Sequence, residues 1–142
     1  MDILFICRSA QEDSVIGNVG LALEAQKAGQ QVAVVFTGEV LAALAGQSFN
    51  WSPLLIGRDI RARISKNAKN LGIPANSAKD DRWTDMRRLV QEAKTGGLAL
   101  WACPLWSQLL GVDGRLPEAL ERVDMAAYIK ALRDAKTIVG GY

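Results

Sequence analysis

Apolar positions along the chain fall into two alternating patterns. Short continuous runs rich in β-branched residues read as strands buried on both faces, and apolar residues spaced by three or four read as helices. Ile3 to Cys7 is the first run. Asp13 or Ser14 then caps an expected helix whose apolar face is Val15, Val19 and Ala22 with Ile16 and Leu23, closing at Gly29. Val32 to Phe36 is the second strand, and Thr37-Gly38 turns the chain into a short helix around Val40, Leu41 and Leu44 that ends at Gly46.

The stretch from Gln47 to Lys79 breaks the rhythm. Asn50, Ser52, Pro53, Gly57, Gly72 and Pro74 punctuate it, and only Ile60 to Leu71 has helical spacing, so it reads as an excursion carrying one helix. Asp80 or Asp81 is the expected cap of a helix over Arg82 to Lys94, with Trp83, Met86, Val90 and Ala93 on its apolar face and Gly96-Gly97 as its stop. Leu98 to Ala102 is the third strand. Cys103-Pro104 opens a short helix to Leu110, closed by Gly111; proline suits a first helical turn, where its missing N–H costs nothing. Leu116 to Val123 holds a short strand, Met125 to Ala135 an amphipathic helix, and Thr137 to Val139 a last strand.

Strand-helix alternation of this kind predicts an α/β fold: one domain over residues 1–142, three layers α/β/α, and a mostly parallel sheet of four or five strands. Ligands of such sheets bind beyond the carboxyl ends of the strands.

Composition narrows the class. With 49% apolar and 23% charged residues the chain has the balance of a globular core with a solvated surface. No run approaches the roughly 20 apolar residues of a membrane span. Met1-Asp2 leads directly into an apolar strand without a basic n-region or cleavage site, so a cytoplasmic location is expected. The net charge is only +2, yet from Arg58 to Lys94 ten Lys or Arg stand against five Asp or Glu. The middle is basic and the remainder mildly acidic.

The chain has no histidine, which removes Ser-His triads, Cys-His dyads and histidine metal sites together. Neither the dinucleotide fingerprint Gly-x-Gly-x-x-Gly nor the P-loop pattern occurs. Gly17 and Gly20 fall inside a helix and are read as allowing close packing. Two cysteines are too few for a disulfide framework or a four-ligand zinc site, so no metal and no cofactor are expected. Cys103 is the candidate catalytic thiol: it ends a buried strand and starts a helix, where unpaired N–H groups and the positive dipole end favour thiolate. A small buried hydrophobe is the plainer reading of such a cysteine. Cys7 ends the first strand on the same sheet edge and is a candidate second thiol if strands one and three are neighbours. Arg8, Arg58, Arg61 and Trp106 are candidates for a pocket or anion-binding site, Trp106 as a shelter for the thiol. Arg58, Arg61, Arg63, Lys66 and Lys69 form a basic cluster suited to an anion or an acidic partner, with a solvated helix face as the plainer reading. Trp83 and Trp101 read as core.

Three stretches together resemble the DsrE/DsrF-like family, which includes TusD-type sulfur-relay proteins: Asp2 to Arg8 with the helix after it, Val32-Ala33-Val34-Val35-Phe36-Thr37-Gly38-Glu39-Val40, and Gly97 to Val112. In the last, Leu98-Ala99-Leu100-Trp101-Ala102-Cys103-Pro104 followed by Gly111-Val112 is similar to the family's strand, cysteine and short helix. The resemblance implies that Cys103 accepts sulfur as a persulfide, with protein donors and acceptors as partners, and a homo-oligomer: dimer, trimer or hexamer. No membrane and no specific nucleic acid are expected partners. Arg58 to Lys79 matches no family motif, and Cys7 is not a residue the pattern calls for.

Three functions follow. The first is a sulfurtransferase or sulfur-relay protein using Cys103. The second is a non-catalytic binding or assembly subunit in which Cys103 packs inertly. The third is a dithiol redox protein using Cys7 with Cys103.

Overall fold

The computed structural model describes residues 1–46 and 48–140. The excursion's first residue, Gln47, and the last two residues of the chain lie outside them. Among the described residues five strands, β1 (Ile3–Cys7), β2 (Val32–Phe36), β3 (Ala99–Ala102), β4 (Glu121–Arg122) and β5 (Thr137–Val139), form one sheet in the order β4-β3-β2-β1-β5. All four pairings are parallel. Among the described residues six helices flank it: α1 (Glu12–Lys27), α2 (Glu39–Gly46), α3 (Arg58–Asn70), α4 (Met86–Thr95), α5 (Pro104–Leu110) and α6 (Met125–Asp134). The α/β class and the three layers agree with the sequence pattern.

The central strands β1 and β2 pair over their full length, Ile3 opposite Val32 through Cys7 opposite Phe36, and β2 pairs with β3 from Ala33–Ala99 to Phe36–Ala102. Paired residues share a face, so Phe5, Cys7, Val34, Phe36, Leu100 and Ala102 all point the same way. That face carries the main core with Val15 and Val19 of α1 and Leu89 and Val90 of α4, all fully buried. α1 packs on α4, while α2 meets α5 and α5 meets α6 in the other outer layer.

Several expectations about element ends are corrected. α1 starts at Glu12 with Gln11 in the cap position, two to three residues before the expected caps Asp13 and Ser14. Asp13 turns away to accept hydrogen bonds from the Ser52 N–H and hydroxyl, tying the excursion to α1. α4 starts at Met86 rather than Arg82, and its cap is Asp85, whose side chain accepts from the Arg88 N–H. The residues before it are held outside the helix because the Trp83 carbonyl accepts from both the Ser77 N–H and the Ser65 hydroxyl. Trp83 is consequently 45% exposed and not core, and Trp101 is only half-buried. Gly20 is needed for close packing, since a Cβ there lies 2.9 Å from Ile73 Cδ1, whereas nothing lies within 4 Å of one at Gly17. Among the described residues no helix is long and apolar enough to cross a membrane.

A candidate thiol at the carboxyl edge of the sheet

The backbone at Cys103 is fixed on both sides. Its N–H donates to the Phe36 carbonyl at 2.9 Å, continuing the ladder one residue past β3. Its carbonyl accepts from the N–H and the hydroxyl of Ser107, each at 2.9 Å. Pro104 follows as the first residue of α5, and Gly111, at φ 64°, closes that helix in the left-handed conformation that glycine adopts without a Cβ penalty. The strand-to-helix junction is the one expected. The side chain is 3% exposed.

The surroundings of the thiol include a residue absent from the expectations. Tyr128 of α6 is half-buried, and its phenol is pushed above its ordinary value first by burial and then by its electrostatic interaction with Cys103. Nothing in the linear pattern distinguishes Tyr128 from any helix aromatic; only the packing of α5 on α6 brings it to Cys103.

Cys7 is fully buried, and burial pushes its thiol up to about 12, against a smaller opposing pull from the Ser14 hydroxyl and the Ser9 backbone N–H. It remains a protonated, inert group at neutral pH. Both cysteines are free. The condition for their approach, that strands one and three be neighbours, is not met, because β2 stands between them. Cys7 and Cys103 flank Phe36 on opposite sides, two strand spacings or roughly 9.5 Å apart, whereas a disulfide needs Cα atoms about 4.4–6.8 Å apart. They also diverge across the sheet: Cys7 faces Ser14 of α1, and Cys103 the α6 side with Tyr128. The geometry opposes a dithiol pair.

The other candidates are dispersed. Arg8 is exposed directly after β1, with no hydrogen bond among the described residues. Arg58 is exposed at the start of α3, and Arg61 is half-buried with an Nε that meets no acceptor. α3 is tied through Ser65 to the loop before α4 and through the Ile73 turn to α1, so these arginines belong to that side of the molecule and not to the Cys103 environment. Trp106 lies on the helix that Cys103 opens but is 39% exposed, turned outward rather than closing over the sulfur. Among the described residues no group of three His, Cys, Asp or Glu side chains is placed to hold a metal ion.

No family model and no curated protein matches the sequence. Solved structures do match the fold. A conserved protein of unknown function, BT1422 from Bacteroides thetaiotaomicron, superposes with a TM-score of 0.60 at 12% identity, covering 99% of this chain and 94% of that one. The ychN protein of E. coli gives a TM-score of 0.60 at 11% identity, covering 99% of each chain. At such identities the likeness is one of fold alone, an α/β fold shared over nearly the whole chain.

Proposed function

We propose that the protein carries sulfur on Cys103 as a persulfide. The observation that carries this reading is the position of Cys103 at the β3–α5 junction, beyond the carboxyl end of a parallel sheet of DsrE-like fold. In the reaction the Cys103 thiolate attacks the outer sulfur of a donor protein's persulfide. A bond forms between Sγ and that sulfur, the donor's S–S bond breaks, and the donor leaves as thiolate. An acceptor thiolate then attacks the same outer sulfur and releases Cys103 as thiolate, so the cycle has no net oxidation. No metal or cofactor enters.

At 3% exposure the sulfur must be uncovered for either step, and the surface above it suits a protein partner. α5 buries only Pro104 and Ser107, and α6 buries no residue fully. Leu105, Trp106, Leu109 and Leu110 of α5 with Met125 and Ile129 of α6 are all exposed, on two helices that meet each other. This surface supports the homo-oligomer as well, with a second copy covering part of it.

The burial of Cys103 also favours the second reading, a binding or assembly subunit in which the thiol only packs. One experiment separates them. The reduced protein is incubated with a persulfide donor and analysed by intact-mass and peptide mass spectrometry beside Cys103→Ser and Cys7→Ser. The carrier predicts a reducible gain of about 32 Da confined to Cys103 and retained in Cys7→Ser; an unmodified native protein leaves the assembly subunit.

A further inference from the structure

On the α1–α4 side lies a cavity of about 460 Å³, lined by Glu12, Phe49, Trp83, Thr84 and Arg87 above the buried Met86. Its size is that of a small-molecule site, and the N-termini of α1 and α4 place it beyond the carboxyl edge of the sheet. We propose that it binds a neutral or singly cationic heteroaromatic amine of nucleobase size, with the ring stacked on Trp83 and the amine donating to Glu12.

The walls select for flatness. Phe49, packed against the core, and Trp83 are the aromatic residues of the lining, and Trp83 is held without its ring being covered. Its carbonyl accepts from the Ser77 N–H at 2.7 Å and the Ser65 hydroxyl at 2.9 Å, and its N–H donates to the Asp80 carbonyl at 3.1 Å. The ring on this fixed backbone is 45% exposed. A large aromatic surface kept wet on a rigid support is pre-organised for stacking.

The polar groups select for donors. Glu12 Oε1 accepts from the Thr84 hydroxyl at 2.6 Å, a contact between residues 72 apart in sequence that fixes the carboxylate, and Oε2 makes no hydrogen bond among the described residues. Arg87 does not neutralise it: its Nη2 donates to the Leu44 carbonyl at 2.7 Å, and no ion pair joins it to Glu12 among the described residues. Asp85 adds a second carboxylate to the lining and is engaged as the cap of α4. Two carboxylates against one guanidinium, with both helix N-termini already answered by acidic residues, disfavour phosphate and carboxylate ligands. An acceptor-only oxygen beside an aromatic plate recognises an exocyclic amine or ring N–H.

The test is titration of the intact protein, followed by tryptophan fluorescence and by NMR shifts, with adenosine and cytidine as amine-bearing probes and purine riboside, which lacks both the amine and any ring N–H, and adenosine monophosphate as controls. Saturable binding of an amine-bearing nucleoside with a dissociation constant below about 1 mM is expected. Purine riboside and the monophosphate should bind at least about tenfold more weakly. Trp83→Ala should weaken binding at least about tenfold while Trp83→Phe retains it. Glu12→Gln keeps an acceptor for Thr84 and should reduce the preference for adenosine over purine riboside. Absence of saturable binding, equal affinity for purine riboside, or an unchanged preference in a folded Glu12→Gln each overturns the proposal. None of these outcomes bears on Cys103, which faces the other side of the sheet.

Discussion

At the scale of single residues, two cysteines of identical chemistry meet different surroundings because of where the backbone places them. Cys7 lies inside the main core, and its charged form is disfavoured by burial to the point that its pKa is about 12. That shift makes a prediction about stability. Below pH 9, the ordinary value for a thiol, Cys7 is protonated in folded and unfolded chains alike, and its contribution is constant. Above pH 9 the unfolded chain releases the proton and the folded chain does not, so stability falls as pH rises toward 12. Between pH 9 and about 10.5 the loss from this group is on the order of 2 kcal/mol. Urea midpoints measured at both pH values should fall further for the natural chain than for Cys7→Ala; equal slopes would remove the buried thiol as the cause. By the same logic Cys7 in the folded protein at pH 8 should resist iodoacetamide and react only after unfolding.

At the scale of elements, what was legible in the sequence depended on whether the deciding contacts are local. Ile3–Cys7 and Val32–Phe36 are strands buried on both faces, so continuous apolar runs mark them within a residue. The β3–α5 junction was equally plain, because Pro104 and Gly111 each have one favoured place in a helix. The start of α4 was not. Asp80, Asp81 and Asp85 are all cap-type residues, and the choice falls to Asp85 only because the 77–84 loop engages the Trp83 and Thr84 backbone. Asp85→Ala should therefore cost about 1 kcal/mol in chemical denaturation, while Asp81→Ala stays within about 0.5 kcal/mol. A similar contrast divides the glycines of α1. Gly17→Ala meets open space and should stabilise by about 0.5–1 kcal/mol. Gly20→Ala must displace the end of Ile73, so its melting temperature should lie below that of Gly17→Ala. Equal melting temperatures would mean that the turn carrying Ile73 yields freely.

At the scale of the whole molecule, the separation of the two thiols and the meeting of Cys103 with Tyr128 follow from strand order, which no local pattern encodes. Insertion of β2 between β1 and β3 parts the cysteines, and the return of the chain from β4 to β5 across the sheet carries α6 to the side of α5. The same path leaves the two outer layers unequal. α1 and α4 each bury at least four residues, whereas α6 buries none and α5 two. An amphipathic helix is held mainly by burying its apolar stripe, so α6 gains little within one chain and its exposed Met125 and Ile129, beside Leu109 of α5, call for a covering surface. If a second copy supplies it, Leu109→Lys should shift the mass measured by light scattering from an oligomer to 15.4 kDa. The far-ultraviolet spectrum should be kept, because Leu109 is 64% exposed within the chain. The persulfide assay then separates the roles of that surface. A monomeric Leu109→Lys that still takes up sulfur on Cys103 places the donor elsewhere, and one that has lost uptake shows that donor docking, self-assembly or both act through this face. A natural chain already monomeric at high concentration would reserve the apolar face for a different protein.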